Sequence, residues 1–235
     1  MFMMELATGL VLLAPTPSTA PSIGGSCCAF RYRHVFLTAA HCVPEETTVF
    51  VWLNSPGRKS AELARVERHP TADLALLFVE PREEEPFAER HIFGDVAKSL
   101  AYGGDFVSYG YPVGGPTDLG ADGQRPTGRL FKGHFQRYFS HEGHLGYKYF
   151  AGELSIPAPA GLSGGPVALP GDPPVLSAIV TTNLETYALL DHVEEIQEGG
   201  KTLRVEARRV VSYGLAAMLV GDVIQWLDEV VPQVS

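Results

Sequence analysis

His41, Asp73 and Ser163 are the residues whose types and order could do chemistry. They stand in Leu37-Thr38-Ala39-Ala40-His41-Cys42, Ala72-Asp73-Leu74-Ala75-Leu76-Leu77 and Gly161-Leu162-Ser163-Gly164-Gly165-Pro166-Val167. A serine hydroxyl is a poor nucleophile, so an imidazole must take its proton, and a carboxylate must orient that imidazole and stabilise the charge it gains. Singly, each fragment reads as ordinary structure: a core histidine, a turn or cap aspartate, a loop serine. In this order they supply all three roles. The glycines around Ser163 admit positive φ and close approach of a substrate carbonyl. The amides of Gly161 and Ser163 are therefore candidates for an oxyanion hole, where loss of one donor costs on the order of 100- to 1000-fold in turnover.

The three motifs resemble those of trypsin-like, chymotrypsin-fold serine peptidases, over most of the chain from about Gly24 onward. The resemblance implies His41 as general base, Asp73 as the carboxylate that orients it and Ser163 as nucleophile. It also implies an all-β fold: two antiparallel six-stranded β-barrels with the active site in the cleft between them, plus a C-terminal α-helix packed on the second barrel. In activated zymogens an acidic residue directly precedes the nucleophile and pairs with a new N-terminal ammonium; Leu162 stands there in this chain. A neutral residue marks the branch that includes bacterial and chloroplast quality-control peptidases and viral processing peptidases, so clipping of the chain is not expected to switch activity on by that route. Trypsin's selective aspartate lies six residues before the nucleophile, a place held here by Pro157. The resemblance makes Pro157, Val180, Thr181, Thr182 and Asn183 the substrate-binding residues, with Thr181 where a residue supports the catalytic aspartate. Small or apolar residues before the scissile bond are expected, from an extended peptide pairing with the Ala178 to Asn183 strand. Gly161-Leu162-Ser163-Gly164-Gly165 also satisfies the Gly-x-Ser-x-Gly pattern of α/β-hydrolases, but that fold needs the histidine last, and here it comes first.

Short apolar, β-branched and aromatic runs separated by polar or Gly/Pro punctuation predict the strands that must position these residues. They are Leu6 to Leu13, Ser26 to Phe30, His34 to Thr38, Thr47 to Leu53, Leu74 to Val79, Phe106 to Tyr111, Gly128 to Phe135, Tyr147 to Gly152, Gly165 to Ala168, Val175 to Thr182 and Leu203 to Val211. Stretches near Pro81 to Pro86 and Gly94 to Gly104 read as the crossing between barrels. The organisation expected is 1–95 for the barrel with His41 and Asp73, 96–213 for the barrel with Ser163, and 214–235 for a strand end and helix. Val223, Ile224, Leu227, Val230 and Val231 recur at helical spacing, with Asp222 and Gln225 as a capping-box variant. Two segments read as insertions, Pro112 to Arg129 and the acidic Glu185 to Thr202, each a hairpin extension or a lid.

The remaining features set bounds. The 235 residues are 45% hydrophobic and carry a net charge of −9, which supports a large core and argues against nucleic acid as a partner. No run reaches the ~18 apolar residues of a membrane helix, so a soluble chain with no membrane partner is expected. Glu5 and the lack of Lys or Arg before the apolar run Ala7 to Ala14 argue against a signal peptide. Cys27, Cys28 and Cys42 are the three cysteines. Neighbours in a strand point to opposite faces, so at most one of Cys27 and Cys28 can meet Cys42. Few cysteines and no clear signal favour a cytoplasmic over a secreted protein. His134, His141 and His144 lie on one hairpin without the spacing of a metal site; neither metal nor cofactor is expected, and His69 reads as a turn residue. The sequence thus predicts a serine endopeptidase acting on protein or peptide substrates through an acyl-enzyme at Ser163. The alternative is a catalytically silent module of the same shape, or a latent enzyme awaiting an activating or regulatory protein partner.

Overall fold

A computed structural model describes residues 8–14, 27–45, 47, 49–54, 57–79, 103–112, 119–120, 123–124, 128–143, 145–171, 174–198 and 201–231. The first six strands are β1 (Thr8–Ala14), β2 (Cys27–Tyr32), β3 (Val35–Thr38), β4 (Val49–Asn54), β5 (Gly57–Arg68) and β6 (Ala75–Val79). They close into an antiparallel barrel in the order β1-β2-β3-β6-β5-β4. β2 and β3 form a hairpin whose two-residue turn, Arg33-His34, places Arg33 at φ 53°, the left-handed conformation that tight hairpins require. Period-two alternation sorts their side chains. Cys27, Ala29, Phe36, Ala75 and Leu77 fill one core, while Phe30, Leu37 and Leu76 enter a second that also contains Tyr149, Ile179 and Ala217. Strands buried on both faces explain why these runs are continuously apolar.

The second barrel is built from β7 (Asp105–Gly110), β10 (Arg129–Glu142), β11 (Lys148–Leu154), β12 (Pro166–Leu169), β13 (Val175–Glu198) and β14 (Lys201–Met218). Its closed order is β10-β11-β14-β13-β12-β7, and β8 (Leu119–Gly120) pairs separately with β9 (Gly123–Gln124) inside the Pro112 to Arg129 insertion. Phe106, Phe135, Leu154, Leu162, Val167, Val180 and Met218 pack its interior. Helix α1 (Asp222–Val230) follows.

Three features depart from the sequence reading and a fourth decides between its alternatives. β5 was not expected, because a register shift between Leu63 and Arg65 breaks the alternation that would reveal it. The Glu185 to Thr202 segment is the outer part of a β13–β14 hairpin paired as far as Glu198↔Lys201, the hairpin extension rather than a separate lid. α1 lies across the seam instead of on the second barrel alone: Arg33 of the β2–β3 turn donates to the carbonyl of Val231 and pairs with Asp228 at 2.9 Å. Its N-terminus has no capping box either. Gly221, at φ 58°, is the cap residue, Asp222 Oδ1 accepts the neighbouring Val223 amide, and Gln225 reaches forward to Glu229. Residues 81–102, which hold most of the expected inter-barrel crossing, lie outside the described residues.

Candidate active site

His41 sits in a single 3-10 turn, Ala40–Cys42, immediately after β3. Ala39 and Ala40 are buried, so small side chains let the turn press into the first barrel while the imidazole faces outward. Asp73 comes from the turn between β5 and β6. That turn is pinned by His69, whose Nδ1 accepts the amides of Ala72 (2.8 Å) and Thr71 (3.2 Å), and whose own amide donates to the carbonyl of Leu74 (3.0 Å). The carboxylate grips His41 twice: Oδ1 accepts the main-chain N–H at 2.8 Å and Oδ2 meets Nδ1 at 2.6 Å. A carboxylate only accepts, so the ring proton resides on Nδ1 and the lone pair on Nε2. Cys42 Sγ stands 3.3 Å from Nε2. The hydrogen bond it gives Cys27, then burial, raises the Cys42 thiol well above its ordinary pKa, so at neutral pH it keeps its one proton.

Ser163 is held by a loop that docks on the strands leading to His41. Its carbonyl accepts the Cys28 amide at 2.8 Å, and Thr38 Oγ1 donates to the Cys28 carbonyl at 2.7 Å. Gly164, at φ 82°, is required by this contact: a Cβ there would lie 2.0 Å from the Cys28 oxygen and 2.2 Å from Thr38 Oγ1. On its other side the loop joins β13, through Gly164 N–H to Val180 O (2.8 Å) and Val180 N–H to Gly165 O (2.9 Å). The amides of Leu162, Gly164 and Gly165 all have main-chain acceptors, whereas those of Gly161 and Ser163 have none among the described residues. Gly161 is at φ 87°, and its carbonyl accepts the Cys28 thiol at 3.0 Å. Burial pushes that thiol up to about 12, which keeps it a donor.

The structure joins His41 to Asp73. It turns Ser163 Oγ elsewhere, toward the carbonyl of Thr181 at 3.0 Å. The Thr181 hydroxyl donates to Leu215 O (3.1 Å) and meets the Tyr149 hydroxyl (2.8 Å); among the described residues it does not support Asp73, because its single proton is already engaged. Burial raises the Tyr149 phenol to about 12, so it is the donor in that pair. Val180 cannot line a pocket with its side chain, which lies inside the second barrel. Thr182 is half-buried and Pro157 exposed. Asn183 bonds both main-chain groups of Ala158, its Oδ1 accepting the amide and its Nδ2 donating to the carbonyl, each at 2.7 Å. Sequence reasoning missed Cys28, Tyr149 and Ala158, contributors that no local motif announces. Cys27 faces the first barrel with Cys42 packed against the same core, and Cys28 faces Gly161 and Tyr111; all three are free thiols. His134 and His141 both lie on β10, and His144 is outside the described residues.

Among solved structures, the protease domain of MamO from Magnetospirillum magneticum aligns with TM-score 0.61 at 13% identity, over 98% of each chain. The inactive form of the Rv3671c protease aligns with TM-score 0.58 at 16% identity, over 97% of this chain and 90% of its own. The protease Anisep from Arthrobacter nicotinovorans gives 0.56 at 12%, over 95% and 94%. At these identities the likeness is one of fold. Comparison with curated protein sequences finds no relative. The trypsin-like peptidase domain profile matches residues 25–170, a span that includes His41, Asp73 and Ser163. With more than half the chain matched and the double barrel in place, this protein belongs to the trypsin-like peptidase domain family.

Proposed function

We propose that the chain is a serine endopeptidase that forms an acyl-enzyme at Ser163. The observation that carries this reading is the His41–Asp73 pair, which fixes the tautomer and leaves the lone pair on Nε2 to act as the base. Ser163 rotates from Thr181 O, His41 takes its proton as it attacks the scissile carbonyl, and His41⁺ then protonates the leaving amine. Water activated by His41 releases the acyl group in the second half. The amides of Gly161 and Ser163 are the donors for the developing oxyanion. Pairing of β12 with β13 ends at Pro166↔Ile179, so the outer edge of β13 beyond Val180 suits an extended protein or peptide substrate added as a strand. Three free thiols suit a reducing compartment such as the cytoplasm.

A second reading, a latent or silent enzyme awaiting a protein partner, is favoured by two observations: Ser163 Oγ engages Thr181 O, and Cys42 Sγ neighbours His41 Nε2. Fluorophosphonate labelling of the wild type, beside folded Ser163→Ala and Asp73→Asn, separates the two. In Asp73→Asn the amide oxygen can serve only one of the two N–H groups on His41. If it stays with the main-chain amide, the –NH2 faces Nδ1 and the ring proton moves to Nε2. An active enzyme labels at Ser163 and loses about 10⁴-fold in turnover in Asp73→Asn. A folded wild type that does not label is latent or silent.

A further inference from the structure

The two nucleophile-loop amides without an acceptor among the described residues, Gly161 and Ser163, are aimed by whatever holds the peptides around them. Leu162 N–H donates to Pro159 O at 3.0 Å and closes a turn. Gly161, its third residue, is at φ 87°, the positive φ that a type II turn gives to glycine. Gly165 N–H holds Leu162 O at 2.9 Å. The carbonyls of Gly161 and Ser163 both go to one residue of the first barrel. Cys28 donates its Sγ proton to Gly161 O at 3.0 Å and its main-chain N–H to Ser163 O at 2.8 Å. Gly161 has no other hydrogen bond among the described residues, and a glycine has no side chain to pack. Apart from its chain neighbours, the thiol is its restraint.

That thiol is itself held in one direction. Tyr111 N–H donates to Sγ at 3.2 Å, so the sulfur accepts from the second barrel while its proton turns to Gly161. Gly110 leaves the room, since a Cβ there would stand 2.8 Å from Sγ. Cys28 is fully buried, in a cluster with Tyr109, Tyr111 and Ala168, so no bulk water competes for its proton. We propose that Cys28 is a positioning residue for the oxyanion hole: its thiol anchors the carbonyl of Gly161 while its main-chain N–H anchors that of Ser163, and together they fix the two free amides relative to the nucleophile. This rests on the peptidase reading above. Without the thiol, Gly161 O and Tyr111 N–H each lose a partner, and Gly161, with the freest backbone of any residue type, turns to find another. Its amide moves with it.

The second-order rate of fluorophosphonate labelling, measured across pH, tests this. Charge gathers on the phosphoryl oxygen as Ser163 attacks, so the plateau reads the oxyanion hole, while the acid limb reads His41 losing its proton. Wild type, Cys28→Ala and Cys28→Ser are compared well below their midpoints of urea unfolding. Cys28→Val, which fills the space but has no proton to give, takes the place of an alanine variant that does not fold. In Cys28→Ala the plateau is expected to fall about 10-fold, more than the roughly five-fold of one ordinary hydrogen bond because a carbonyl is also orphaned. That is less than the ~100- to 1000-fold of an oxyanion donor removed outright. The acid limb is expected to stay in place, and Cys28→Ser, which restores a donor, to recover most of the rate. An alanine variant that labels at the wild-type rate overturns the proposal, and so does a serine variant as slow as alanine. A shifted acid limb in Cys28→Ala puts the effect at His41 and overturns it too. A folded wild type that fails to label overturns the peptidase reading instead, and this assignment falls with it.

Discussion

Replacing Cys42 by alanine should make Ser163 react faster, not slower. The Asp73 carboxylate occupies Nδ1 of His41, so Nε2 is the atom that must accept the serine proton, and Cys42 Sγ stands 3.3 Å from it. The raised pKa of Cys42 keeps its one proton in place at neutral pH, and that proton has two acceptors in reach, Cys27 and the Nε2 lone pair that catalysis needs; turned to Nε2, it ties the lone pair up. Any productive encounter has to break this contact. An ordinary hydrogen bond has a net worth of about 1 kcal/mol, or about five-fold in rate at 1.4 kcal/mol per decade. A thiol is a weak donor, which puts the expected gain at roughly two- to five-fold. Cys42 also packs against the first barrel core, so deleting its sulfur costs about 1 kcal/mol of stability, to be measured separately by urea unfolding. The assay is the second-order rate of fluorophosphonate labelling at neutral pH under reducing conditions, well below the midpoint of unfolding. Cys42→Ser is the counter-test, because a hydroxyl donates better than a thiol and should slow labelling below wild type. Equal rates for wild type, Cys42→Ala and Cys42→Ser, all folded, would refute the idea that this contact restrains His41.

Two further outcomes follow from the turns that carry the site. Gly164 and Gly146 both have φ 82°, but a Cβ at Gly146 meets nothing within 4 Å whereas one at Gly164 meets the Cys28 oxygen at 2.0 Å. Gly146→Ala should therefore lose only the ~1–2 kcal/mol of left-handed strain, and Gly164→Ala about 3–5 kcal/mol, since at least one hydrogen bond between the loop and β2–β3 must break as well. Urea titration of the two variants that gave equal losses would show that the loop is not seated on the first barrel as described. The second outcome concerns pH. Burial lowers the pKa of His69 below 6.5, with Asp222 opposing, and protonation of Nδ1 would discard the two amides it accepts. The unfolded chain then binds this proton more readily than the native one. The stability from this group is complete above about pH 6.5 and is lost as pH falls through the depressed native value. His69→Asn keeps an acceptor suited to the same turn but does not titrate. Its unfolding midpoint should fall less than that of wild type between about pH 7 and 5, and parallel profiles would count against the assignment.

The pairing of His41 with Asp73 and the glycine-rich turn at Ser163 were legible because each motif needs particular residue types, and local glycines or alanines mark the turns that expose them. Strand positions were legible wherever burial on both faces imposed a continuous apolar run, as in β2, β3 and β6. What escaped was set by long-range pairing. Parity showed that Cys27 and Cys28 face opposite ways, but only the docking of Ser163 O on the Cys28 amide decides that Cys28 faces the nucleophile loop and Cys27 the first barrel. The same blindness hid the engagement of Thr181 with Leu215, 34 residues away, and the burial of Val180 inside the barrel. β5 was lost for a different reason, a bulge that shifts the register and with it the face each side chain presents.

Leu162 shows how the site is kept in shape without the ion pair of a clipped zymogen. Its side chain is fully buried in the second barrel core, and Gly110 leaves it room, since a Cβ there would lie 2.5 Å from Leu162 Cδ1. Burying a leucine contributes about 2–3 kcal/mol, enough to seat the loop as the barrel folds. An ion pair with a new N-terminus can be withheld until the chain is cut; apolar burial cannot, because it forms with the barrel itself. On the proposed reading, control therefore falls on small side-chain movements around an already seated loop. Two are rotation of Ser163 away from Thr181 O and release of His41 Nε2 from Cys42.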